Sequence, residues 1–151
     1  ACLVGSEMCI RDRYYDRCCC DGYVAISFYE GIQKRGKSMK VVGYAGSRSA
    51  FSKSICLGEK LKTMLREKNI EMELYTARNN VVEECRGCGK CFDEGLCPQD
   101  QEDSMEYIRK KILEADLIVL LSPVYLNNVS GAMKTFLDRI GSWVHTLRKR
   151  A

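Results

Sequence analysis

Cys85, Cys88, Cys91 and Cys97 form the most chemically pointed pattern in the chain, a Cys-x2-Cys-x2-Cys-x5-Cys run closed by Pro98. Two-residue spacers put successive thiolates on one concave side of a turning loop. Gly87 and Gly89 allow a tight backbone and leave N–H groups to point at the same centre. Thiolates are soft donors that select iron–sulfur clusters or zinc. Bacterial ferredoxin runs use spacers of two, two and three residues before a final Cys-Pro, whose cysteine serves a second cluster. The longer spacer before Cys97 lets it return to the same centre, so four thiolates within thirteen residues can close around one [4Fe–4S] cube. Zinc on four cysteines is a competing reading, although such sites usually carry two separated Cys-x2-Cys pairs. Redox-active thiols are a third. Cys56 stands alone on a helical segment and is expected to be a small buried hydrophobe.

A second chemistry sits at Gly46-Ser47-Arg48-Ser49-Ala50-Phe51-Ser52-Lys53-Ser54. This segment joins an apolar strand to a helix, and a helix N-terminus with its free N–H groups is ready to hold an anion. Ser47, Ser49, Ser52 and Ser54 add hydroxyls and Arg48 adds a charge. Phe51 stands where a Walker loop needs its second glycine, and no Gly-x-Gly-x-x-Gly occurs. Serine-rich turns of this kind are often plain helix caps. Ser122-Pro123-Val124-Tyr125, followed by Asn128 and Ser130-Gly131, forms a matching loop. Tyr125 can pack on a flat ring and Asn128 can hydrogen-bond its edge; the plainer reading of Tyr125 is a partly buried loop aromatic. No side chain stands out as an acid–base catalyst. His145 is the only histidine, near a basic helix end, and Trp143 reads as core or interface.

The elements that must position these residues follow from periodicity. Residues 40–45 and 70–75 read as strands, and 117–121 is a continuous apolar strand ended by Ser122-Pro123. Leu57, Leu61, Met64 and Leu65 make a helical stripe closed by Asn69. Residues 85–97 read as a glycine-rich loop. Asp103-Ser104-Met105-Glu106 starts a helix with Met105, Ile108, Ile112 and Leu113 on one face. A last helix, about 131–146, buries Met133, Phe136, Leu137, Ile140 and Val144. Alternating strands and helices argue for a doubly wound α/β sheet. In the flavodoxin-like order 2-1-3-4-5 the switch point lies between strands 1 and 3, at loops 46–54 and 122–130.

Three strands make an incomplete sheet of this type, three of an expected five, with the apolar 117–121 strand left at an open edge. The expectation is a chain truncated at its C-terminal side; a dimer covering that edge is the alternative. The 151 residues carry a formal charge of +4, of which Arg148-Lys149-Arg150 supply three, so no nucleic-acid footprint is expected. No apolar run approaches the roughly 18 residues of a membrane span. Ten cysteines invite a secreted disulfide framework, but the start lacks a secretory pattern and the body reads as a core-forming α/β chain, which points to a cytoplasmic setting. Residues 1–38, with Cys18-Cys19-Cys20 and no sustained period, look like other material. Leu3 to Arg13 reads as translated adapter sequence, and Arg35-Gly36 can be encoded as a purine-rich ribosome-binding site just before Met39. The expectation is that Met39 is the start and 1–38 a non-native leader; a genuine disordered extension is the alternative.

Together these motifs resemble the iron–sulfur flavoproteins of the NADPH-dependent FMN reductase family, in the flavodoxin-like superfamily. The matching pieces lie within 39–141: Gly46-Ser47-Arg48-Ser49, the compact cysteine set, Ser122-Pro123-Val124-Tyr125, Asn128-Val129-Ser130-Gly131, Met133-Lys134 and Asp138-Arg139. The resemblance implies FMN, with its phosphate at 47–54 and its ring near 122–128, and a [4Fe–4S] cluster on the four cysteines. It also implies a ferredoxin-like or nicotinamide electron donor and a dimer or tetramer when full length. Competing functions are a two-electron NAD(P)H-dependent FMN or quinone reductase with zinc or spare thiols, and a non-enzymatic flavodoxin-like carrier.

Overall fold

In the computed structural model of the chain, the backbone is described for residues 23–29 and 39–148 and side chains for 39–141. Three segments make the parallel part of the sheet: β2 (Lys40–Ala45), β3 (Glu71–Thr76) and β4 (Leu117–Tyr125). Here β2 pairs in parallel with both neighbours, Val42 lying opposite Glu73 on one side and Ile118 on the other. All three strands therefore run the same way, and the loops that leave them share one end of the sheet. The order β4-β2-β3 gives the flavodoxin-like arrangement around β2 and puts the switch point between β2 and β4.

α1 (Lys53–Glu67) follows β2, with the Ser52 hydroxyl accepting the Ile55 N–H at 3.3 Å and Asn69 turning the chain at φ 58°. α3 (Met105–Glu114) starts where Asp103 Oδ1 accepts the Met105 N–H at 2.8 Å. α4 (Gly131–Arg148) follows the β4 hairpin. The core joins Val42, Tyr44, Tyr75 and Leu120 of the sheet to Met105, Ile108 and Ile112 of α3 and Met133 and Phe136 of α4. Tyr44 and Phe136 stack with ring centroids 3.6 Å apart. Burial pushes the Tyr44 phenol up to about 12, so it stays neutral. Among the described residues no helix is long and apolar enough to cross a membrane.

The structure corrects several expectations. The sheet has four principal strands rather than three, because β1 (Tyr23–Tyr29) pairs antiparallel with β4 from Tyr23 opposite Pro123 to Tyr29 opposite Leu117. A long apolar edge offers a full row of unpaired backbone groups, and here a segment of the same chain takes them. The fold is thus a mixed α/β sheet. Apart from 23–29, the expected 1–38 leader lies outside the described residues. β4 does not end at Ser122-Pro123 but runs on to Tyr125. Pro123 is tolerated there because β2 stops pairing at Leu121, so no parallel neighbour needs its missing N–H. The cysteine segment is not loop throughout; it contains a short helix, α2 (Lys90–Glu94).

The stripe on α1 is also rotated from its expected position. Its buried residues are Ser54 and Gly58, whereas Leu57 and Met64 are exposed. A Cβ on Gly58 would stand 2.8 Å from Leu74 and 2.9 Å from Leu121, so the small face is the one that lets the helix press on the sheet. Cys56, expected buried, is exposed on the same helix. Leu113 of α3 is exposed as well. The side chains of Trp143, Val144 and His145 lie outside the described residues.

Candidate functional site

The switch point is built around one hydroxyl. Gly46 continues β2, its N–H donating to Leu121 O at 2.8 Å. A Cβ at Gly46 would come within 2.6 Å of Met133 Cβ, so only glycine lets α4 approach this closely. Ser130, 4% exposed, donates its hydroxyl to Gly46 O and accepts the Met133 N–H at 3.1 Å, which caps α4. Its own N–H donates to Ser122 Oγ at 3.0 Å. The end of β2 is thereby tied to β4 and to the start of α4, more than 70 positions further along the chain.

Around this knot lie the residues expected to hold a cofactor. Ser47 is buried and its hydroxyl accepts the Ser49 N–H at 3.3 Å; Ser49 Oγ accepts from Phe51 at 3.2 Å, and Ser52 caps α1. Ser54 Oγ is fully buried in the first turn of α1 with no hydrogen-bond partner among the described residues. Arg48 is exposed at the mouth of this turn. Across the switch point Ser122 is buried, Pro123 and Val124 are half-buried, and Tyr125 is 60% exposed. Val124 and Tyr125 pair with β5 (Asn128–Val129) through a two-residue turn in which Leu126 and Asn127 both have positive φ, 50° and 59°. That is the tight hairpin signature, met here by a fully exposed leucine in a conformation β-carbons resist. Asn128 Oδ1 accepts the Val129 N–H at 2.8 Å. Hydroxyls, a cation and a helix N-terminus on one side and an exposed aromatic on the other fit a phosphate-bearing planar group. A cavity of about 620 Å³, lined by Lys62, Arg66, Glu73, Tyr75 and Tyr107 among others, includes none of these residues.

The cysteine loop leaves the same end of the sheet after β3. Gly87 and Gly89 take positive φ of 64° and 74°, as the compact spacing requires. Cys85 and Cys88 are exposed, Cys91 and Cys97 half-buried, and all four are free thiols. Burial pushes the Cys91 thiol up, and Cys97, Cys85 and Cys88 push it in the same direction. Among the described residues no three His, Cys, Asp or Glu side chains form a ready metal-coordinating set. The donor set is chemically suited to a thiolate-bound centre, and the four thiols lie on one loop. The model of the NADPH-dependent FMN reductase family matches residues 39–150. The chain belongs to that family. Among its relatives are an iron-sulfur flavoprotein of Archaeoglobus fulgidus, 33% identical over 107 residues, covering 71% of this chain and 48% of that one. An iron-sulfur flavoprotein of Methanocaldococcus jannaschii is 37% identical over 101 residues, 67% of this chain and 51% of that one. A protein of Pseudomonas putida named FMN reductase (NADPH) is 27% identical over 100 residues, 66% of this chain and 46% of that one. The chain spans about half the length of these curated relatives. No solved structure gives a significant match.

In the sequence Ser130 is visible only as part of the second loop and Arg139 only as part of a resemblance, and Gln99, Asp100 and Arg109 give no signal. The signal for Arg139 was present: it falls three residues after Phe136, on the buried face of α4, where an arginine needs a reason. Arg139 is 1% exposed and ion-paired with Asp100 and Asp103.

Proposed function

We propose that this chain carries the FMN and [4Fe–4S] centres of an electron-transfer oxidoreductase. The carrying observation is that the cysteine loop and the two switch-point loops leave the same end of one sheet. When bound, a cluster moves one electron at a time and FMN one or two, so the pair couples one-electron and two-electron partners. The first turn of α1 and Arg48 attract the phosphate by dipole and charge, with Ser47, Ser49, Ser52 and Ser54 shaping the turn. Ser122, Pro123, Val124, Tyr125 and Asn128 hold the ring side, and Tyr125 shields it from water. Cys85, Cys88, Cys91 and Cys97 supply the thiolates. The electron donor is ferredoxin-like or a nicotinamide, and the assembly a homodimer or homotetramer. The names of the archaeal relatives support this reading.

A second reading, an NAD(P)H-dependent FMN reductase whose cysteines hold zinc or remain thiols, is favoured by the name of the Pseudomonas relative. Iron, zinc and flavin content of protein purified without oxygen separates the two. About four irons with FMN per chain supports the first reading; one zinc with little iron supports the second. Cys88→Ser should abolish the iron and leave the flavin, and unchanged iron would refute the ligand assignment.

A further inference from the structure

The cysteine loop is closed at its base by side chains that themselves carry no sulfur. Arg139 Nη1 donates to Glu83 O at 2.9 Å, two residues before Cys85, and to Asp103 Oδ2 at 2.7 Å, six residues after Cys97 and past the short helical turn Pro98–Glu102. Its Nη2 donates to Asp100 Oδ1 at 2.7 Å. Asp103 Oδ2 also accepts the Glu83 N–H at 2.9 Å. Gln99 Nε2 donates to Glu84 O at 2.9 Å, a second link between the incoming and outgoing chains. Asp100 pairs with Arg109 of α3 as well, and its N–H donates to Cys97 O at 3.1 Å. The paired side chains of Asp100, Arg109, Arg139 and Asp103 are all less than a tenth exposed. Further out, Arg86 and Glu102 make an exposed pair across the same gap.

Two cationic and two anionic groups removed from water are costly to assemble. This set sits where it fixes the span between the residues before the first thiol and the residues after the last. We infer that Arg139 and Gln99 are positioning residues: they hold the two ends of the 85–97 loop together, so that the four thiols start close to the arrangement a metal centre needs. With the base pinned, only the intervening residues have to order when the centre forms, and less binding energy is lost to closing the loop. Groups outside the ligand shell that orient ligands commonly govern affinity by about 10–100-fold. The inference rests on the cysteine-site reading above.

The test uses the full 151-residue chain, stripped of metal without oxygen and titrated with cobalt(II) against a competing chelator. Thiolate-to-cobalt absorption reports the ligand set, and a circular-dichroism melt reports the fold. Gln99→Met keeps the volume, leaves no buried charge and removes only the link to Glu84. Arg139→Lys keeps the charge facing Asp100 and Asp103 but lacks the planar fork that also reaches Glu83. Both should weaken cobalt binding by about 10–100-fold at temperatures well below their melting points. Cys56→Ser should bind as the parent does. If Arg139→Lys does not fold, Gln99→Met decides alone. Parent-like affinity in the folded variants, or a loss no larger than their melting shift accounts for, overturns the inference and leaves the cysteine site standing. Failure of the parent to bind cobalt through thiolates overturns both.

Discussion

The two loop systems at the carboxyl end of the sheet are held by different physics. At the switch point, Ser122 and Ser130 tie Gly46, β4 and α4 with neutral hydroxyl bonds inside a continuous apolar core. At the cysteine loop, Asp100, Asp103, Arg109 and Arg139 tie α3, α4 and both ends of the loop with buried charges. A hydroxyl serves where the backbone is already in regular structure and only one or two donors need partners. The cysteine segment has little apolar content to bury and only the five-residue α2 within it. Something directional and strong has to define its ends, and charge-assisted forks do that.

The contrast predicts unequal costs. Arg139→Met should be the most damaging change, because it leaves Asp100 and Asp103 as buried charges with one partner fewer. Breaking a buried pair from one side costs about 3–5 kcal/mol. Urea melts of parent and variant would measure it. Ser130→Ala should cost about 2 kcal/mol, from the lost cap of α4 and an unpaired Gly46 carbonyl. It should also weaken FMN binding more than cobalt binding, since it loosens the flavin loops and leaves the cysteine base intact. If Ser130→Ala proves as costly as Arg139→Met, the division into a cheap neutral knot and an expensive charged clasp is wrong.

The legible parts of the molecule were those written locally. The strands at 40–45 and 117–121, the Asn69 turn and the Asp103 start of α3 each depend on neighbours within a few residues. The parallel order around β2 follows from the alternation of elements. Illegible were partnerships between distant segments. Arg139 meets Glu83 across 56 positions of sequence, and nothing near either residue announces the other. The contact face of α1 was misplaced for a related reason: Ser54 and Gly58 face the sheet because they are small, while a periodicity argument weights the large apolar residues beside them. β1 was missed because its pairing depends on β4, whose open edge was recognised without the segment that covers it. The cysteine spacing, by contrast, announced itself fully, yet gave no hint of the charges that hold its ends.

The smallest effect sharpens the contrast from outside it. Glu73 sits on edge strand β3, half-exposed, with its carboxylate accepting from Lys111 Nζ at 2.8 Å and from the Tyr75 hydroxyl at 2.5 Å. The Lys111 bond, then the Tyr75 bond, hold its carboxyl below the ordinary value of 4.5, while burial and that same acceptor push the Tyr75 phenol up. A carboxyl whose folded value is depressed stabilises the fold fully above its unfolded value. That stability is lost as the pH falls from about 4.5 through the lower folded value. Glu73→Gln should therefore flatten the acid side of the melting-temperature profile slightly and leave it unchanged near neutrality. Because the pair is solvent-screened, salt should diminish the difference. The same salt should leave the cost of Arg139→Met nearly untouched, since counter-ions do not reach a side chain with no exposed surface. A salt-sensitive Arg139→Met would mean that the clasp opens to water, and the charges around the cysteine loop would then resemble those at the sheet edge.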